Sequence, residues 1–129
     1  MRVAVLDDYH HAMGASPAWE RLRRHPAIDE IRVLTEPLTG QALAEQVGDV
    51  EILVAIRERT RFPADVLASL PKLQFIAQTG NHVYHIDVEA ATRQGVAIGL
   101  YRGASGGSVG AAELTIGLLL TLWRQIATY

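Results

Sequence analysis

The stretch Leu73-Gln74-Phe75-Ile76-Ala77-Gln78-Thr79-Gly80, followed after Asn81 to Ile86 by Asp87-Val88-Glu89-Ala90-Ala91-Thr92-Arg93-Gln94-Gly95-Val96-Ala97-Ile98, decides the fold. Leu73 to Ala77 is a short apolar run, as expected of a strand covered on both faces. Gln78-Thr79-Gly80-Asn81 reads as a turn. Asp87 is a helix N-cap, because its carboxylate accepts from the free N–H groups of a first turn. Gly95 ends that helix, and Val96 to Ile98 is the next strand. Strand, helix and strand in this order make a parallel unit with a right-handed crossover.

Working outward, the same alternation recurs. Val3 to Leu6, Ile31 to Leu34 and Glu51 to Ile56 read as the earlier strands. Helices are expected over Pro17 to Arg24 with Ser16 as cap, over Thr39 to Val47 ending at Gly48, and from Phe62-Pro63 through Leu70. Gly99 to Gly110 is glycine-rich and reads as a loop, and Ala111 to about Thr128 as the last and longest helix. Five strands alternating with helices predict an α/β flavodoxin-like three-layer sandwich, a parallel sheet in the order 2-1-3-4-5. The expected organisation is one domain over 1–110 followed by a long helix over 111–129. Ligands of such sheets bind beyond the carboxyl ends of the strands.

Composition narrows the function. The 129 residues are 49% hydrophobic and 20% charged, with a net charge of −2 and no cysteine. A chain this apolar buries a core rather than staying disordered. Twelve Lys+Arg against fourteen Asp+Glu leave no basic excess for nucleic acid. The absence of cysteine excludes disulfide and thiolate sites and suits a reducing, cytoplasmic setting. The N-terminal apolar run is too short for a signal peptide, and Leu114 to Trp123 is about half the length of a membrane span.

Asp7 and Asp8 close the first strand. A phospho-receiver would also need an acceptor Asp after the third strand and a Lys after the fifth, but Arg57 and no lysine stand there. Both acids are therefore expected at a solvated strand end or as a cap. Arg57, Arg59 and Arg61 alternate, so an extended segment would put them on one face, suited to a carboxylate or phosphate. Surface pairing with Glu58 and nearby acids is the competing reading. Gly80 permits close backbone approach, and successive N–H groups of Gln78 to His82 can form an anion nest. His82 and His85 alone are too few for zinc, so no metal site is expected. Gly103 to Gly107 matches neither G-x-G-x-x-G nor a P-loop.

The run from Leu70-Pro71-Lys72-Leu73 to Gly95-Val96 resembles the "PKLKxIxxxGxGxDNIDxxAAxxxGIxV" pattern of the D-isomer-specific 2-hydroxyacid dehydrogenases. Ile56-Arg57-Glu58-Arg59-Thr60 resembles their "VRSxT", and Ala112-Glu113-Leu114-Thr115-Ile116-Gly117-Leu118-Leu119-Leu120 their "AExTIxLLL". The resemblance implies an N-terminal substrate-binding domain of an NAD(P)-dependent oxidoreductase that moves hydride between nicotinamide and a 2-hydroxy or 2-keto acid. It implies that Arg57, Thr60, Gly80, Asn81 and His82 bind substrate and that Asn81 approaches the cofactor. His82 departs from the family's second glycine, and Tyr84-His85 from its Asp-Asn.

The family's dinucleotide fingerprint and its catalytic Arg, Glu and His belong to a second domain beyond the long helix. The expectation is therefore a chain without catalytic residues, without the NAD-binding domain and inactive by itself. In the family a C-terminal tail packs back on this domain. Without it, Leu118, Leu119, Leu122, Trp123 and Ile126 are left as an apolar surface that favours homo-oligomers. A free-standing carboxylate-binding or dimerisation module is the alternative.

Overall fold

Parallel strands dominate the computed structural model, which describes residues 1–13, 17–101 and 106–125, without the side chains of 106–109. The strands are β1 (Arg2–Leu6), β2 (Glu30–Val33), β3 (Ile52–Ala55), β4 (Phe75–Gln78) and β5 (Ala97–Leu100). They form one sheet in the order β2-β1-β3-β4-β5, every pair parallel, as the alternation predicted. The helices are α1 (Pro17–Arg23), α2 (Gly40–Val47), α3 (Ala64–Ala68), α4 (Val88–Gln94) and α5 (Gly106–Trp123).

The two faces of the sheet are covered unequally. One carries the larger core, where Leu6, Leu53 and Ile76 of the strands meet Leu43 and Val47 of α2, Val66 and Leu67 of α3, and Ala91 of α4. The other carries a smaller cluster of Val3, Val5 and Val54 around Trp19 of α1. At the β4–β5 side, Phe75 remains partly exposed.

The caps of α4 are those expected. Asp87 Oδ1 accepts from Ala90 N at 2.8 Å, and Gly95 adopts the left-handed conformation (φ 77°) that glycine takes without steric cost. Other boundaries differ. Thr39 precedes α2 but its side chain makes no cap bond, and the Ser16 cap lies outside the described residues.

The last helix begins at Gly106 rather than Ala111, so three glycines assigned to a loop, Gly106, Gly107 and Gly110, are helical. It runs to Trp123, and Ile126 lies outside the described residues. Its side chains from Leu114 to Trp123 include seven large hydrophobics, from 55% exposed at Leu118 to 85% at Trp123. No described helix is long and apolar enough to cross a membrane.

At the amino ends of the strands an ion network ties the first three together. Arg32 donates to Asp49 through two nitrogens, at 2.6 and 2.8 Å, and to Glu30 at 2.7 and 3.0 Å, while Arg2 also donates to Asp49.

Candidate functional site

The opposite rim gathers the end of β1, the turn after β3 and the loop after β4. Asp7 closes β1 in a left-handed conformation (φ 61°) and is only 2% exposed. Its Oδ2 accepts from Thr60 Oγ1 at 2.5 Å and its Oδ1 from Tyr9 OH at 2.8 Å. That bond to Asp7 holds the Tyr9 phenol above its ordinary pKa. Asp8 accepts from Ala12 N and Met13 N at 2.9 and 3.1 Å. The solvated strand end expected for these two acids is thus corrected. Both are buried, and both are used to fold the rim.

The arginines are not arranged as expected either. Arg57 takes a left-handed backbone (φ 60°), which breaks the extended geometry that would have aligned Arg57, Arg59 and Arg61. Its N–H donates to Thr79 Oγ1 at 3.0 Å, stitching the β3 turn to the β4 loop. Arg59 turns back instead, donating to the Asp7 carbonyl with its guanidinium 4.7 Å over the Tyr9 ring. The described residues show no ion pair from Arg57, Arg59 or Arg61 to Glu58.

In the β4 loop, the N–H groups of Gly80, Asn81 and His82 have no acceptor among the described residues. Gly80 is closely surrounded: a Cβ there would lie 3.0 Å from Glu58 Oε1 and 3.1 Å from Gln78 Nε2, so those side-chain ends would have to give way slightly. His82 Nε2 stands 3.9 Å from Glu58 Oε1 and its ring stacks on Tyr84 at 5.1 Å. Asn81 is exposed on the same loop.

The burial of two residues here departs from the sequence reading, which places Gln78 in a turn and weighs His85 only as a metal ligand. Gln78 is 3% exposed and its Oε1 has no partner; His85 is 9% exposed and neither ring nitrogen has one. Burial pushes the His85 pKa down, with Glu58 opposing and Arg61 and His82 assisting. His85 directly precedes Ile86, whose bridge to Phe62 fixes that stretch against the domain; nothing in the sequence around His85 signals this.

Thr60, Gly80, Asn81, His82 and Arg57 therefore lie around one rim, but with different surroundings. The Thr60 hydroxyl is committed to Asp7, whereas the loop N–H groups, without an acceptor among the described residues, can donate to a ligand atom. The described residues hold no group of three or more metal-ligating side chains.

A model of the D-isomer-specific 2-hydroxyacid dehydrogenase catalytic domain matches residues 3–124. The chain belongs to this family. The D-3-phosphoglycerate dehydrogenase of Rattus norvegicus is 40% identical over 89 residues, 69% of this chain and 16% of that protein. The hydroxypyruvate reductase of Thermotoga maritima is 35% identical over 99 residues, 77% of this chain and 31% of that protein. A phosphoglycerate oxidoreductase structure from Vibrio cholerae superposes with a TM-score of 0.79 at 35% identity, over 94% of this chain and 36% of that one. The chain thus spans well under half the length of these family members.

A dinucleotide needs a cradle of N–H groups at a glycine-rich turn opening a helix. At α4 that place is taken by the Asp87 carboxylate. Among the described residues no strand-to-helix turn carries the G-x-G-x-x-G pattern. These residues do not fit a dinucleotide cradle, and no chemical step is assigned through one.

Proposed function

We propose that this chain is the substrate-binding unit of a D-2-hydroxyacid oxidoreductase. In this reading the N–H groups of Gly80, Asn81 and His82 hold the substrate carboxylate and Arg57 adds its guanidinium. Thr60 positions the turn through Asp7. The observation that carries the reading is the row of loop N–H groups at the carboxyl end of β4 that find no acceptor among the described residues, next to a turn held by the Arg57–Thr79 bond. Fixed N–H dipoles and a planar guanidinium are the donors that a planar carboxylate matches.

The parent reaction is hydride transfer between NAD(P) and a 2-hydroxy or 2-keto acid. Asn81 is the residue of this chain assigned to approach the cofactor; general acid–base catalysis is assigned to none of its side chains. The setting proposed is the cytoplasm. Addition of D-lactate to the ¹⁵N-labelled chain should shift the Gly80, Asn81 and His82 amides, while mixing the chain with NADH and a panel of 2-keto acids should give no turnover. Unmoved amides, or turnover by the chain alone, would overturn the reading.

A second reading rests on α5. A helix that is apolar all round belongs inside an assembly. Its exposed Leu118, Leu119, Leu122 and Trp123 support association with a second copy of this chain.

A further inference from the structure

Glu58 puts a carboxylate beside the loop proposed to hold the substrate carboxylate. Its Oε1 lies 3.0 Å from the position a Cβ on Gly80 would fill and 3.9 Å from His82 Nε2. It therefore stands over the same short loop whose N–H groups lack acceptors among the described residues. Neither Arg59, which is turned onto Asp7 and Tyr9, nor any described ion pair from Arg57 or Arg61 neutralises it. An anion entering this loop meets donors from the backbone and a like charge from Glu58.

We propose that Glu58 is a specificity-determining residue that makes the loop select acids carrying a hydroxyl beside the carboxylate. A hydroxyl donates to the Glu58 carboxylate and turns the repulsion into a charge-assisted hydrogen bond. A 2-keto oxygen is an acceptor only and faces Glu58 unfavourably. A second carboxylate fares worse, because it adds another negative charge at close range. A hydrogen bond to a charged group distinguishes such partners by about tenfold or more. The inference rests on the reading of Gly80 to His82 as the carboxylate site.

The test is a titration of the ¹⁵N-labelled chain with D-lactate, pyruvate and oxalate, followed at the Gly80, Asn81 and His82 amides, for the native chain and for Glu58→Gln and Glu58→Ser. The native chain should bind D-lactate at least about tenfold more tightly than pyruvate, with oxalate weakest. In both variants the three affinities should draw together to within about twofold, mainly because pyruvate and oxalate tighten. Equal affinities in the native chain, or an unchanged ratio in folded variants, would overturn the role of Glu58 and leave the carboxylate site standing. If no anion moves these amides in any form, the carboxylate site fails and the inference falls with it. Glu58 is solvent-exposed, so a dispersed amide spectrum is expected of both variants and confirms their fold.

Discussion

The Thr60 hydroxyl donates to Asp7 Oδ2 at 2.5 Å, a buried bond between residues 53 apart in sequence. It ties the turn after β3 to the end of β1. Thr60→Val keeps the shape but leaves a buried carboxylate oxygen without its donor. The expected loss is about 1–3 kcal/mol of unfolding free energy, with Thr60→Ser recovering most of it. Urea denaturation of the three proteins measures this; equal midpoints for Thr60→Val and the native chain would show that the bond is inconsequential.

The ion network at the other rim makes an acid prediction. Hydrogen bonding from Arg32, with the charges of Arg2 and Arg32 in support, lowers the Asp49 pKa from its ordinary 3.8 to about 2. A depressed carboxyl pKa means that the unfolded chain takes up the proton first. The contribution is therefore whole above about pH 4 and is lost as pH falls from there toward 2. Asp49→Asn should flatten the decline of the urea midpoint across this window, and an unchanged slope would remove Asp49 from the account.

His85 acts in a different range. Burial lowers its pKa from 6.5, so the folded chain holds the ring neutral while the unfolded chain protonates it. Its share of stability is present above pH 6.5 and declines as pH drops below that value. NMR titration of the ring should give a midpoint under 6.5. His85→Gln should shallow the stability slope just below 6.5; a midpoint at or above 6.5 would contradict the burial argument.

The exposed surface of α5 predicts self-association. Equilibrium sedimentation across micromolar concentrations should show species heavier than the monomer, and replacing Leu118 and Leu122 by Glu should restore the monomer. A native chain that stays monomeric throughout this range would remove α5 as an interface.

The sheet was legible because its information is local and repeated. Each strand is a short apolar run, each crossover is a helix, and Asp87 and Gly95 are residues whose side chain, or lack of one, suits the cap they make. The site was legible only in outline. The pattern singles out Arg57 and Gly80 to His82 as candidates, but the alternation argument for the arginines assumes extended backbone, and the left-handed turn at Arg57 removes it. Asp7 reads as a surface acid until Thr60 arrives from 53 residues away. Gln78 and His85 are buried by neighbours from other elements, which no local pattern of polar residues announces. The start of α5 was misread because glycine usually marks a break, and here Gly106 continues into a helix.

The left-handed backbone at Arg57 sets stability against the role proposed for its side chain. An L-residue in that conformation costs roughly 1–2 kcal/mol, which glycine does not incur. A library of position-57 variants sorted only on heat resistance would therefore enrich glycine, and every winner would lack the guanidinium. If Arg57 holds the substrate as proposed, redesign for robustness has to keep this position fixed, because there the firmer chain and the better binder are different molecules.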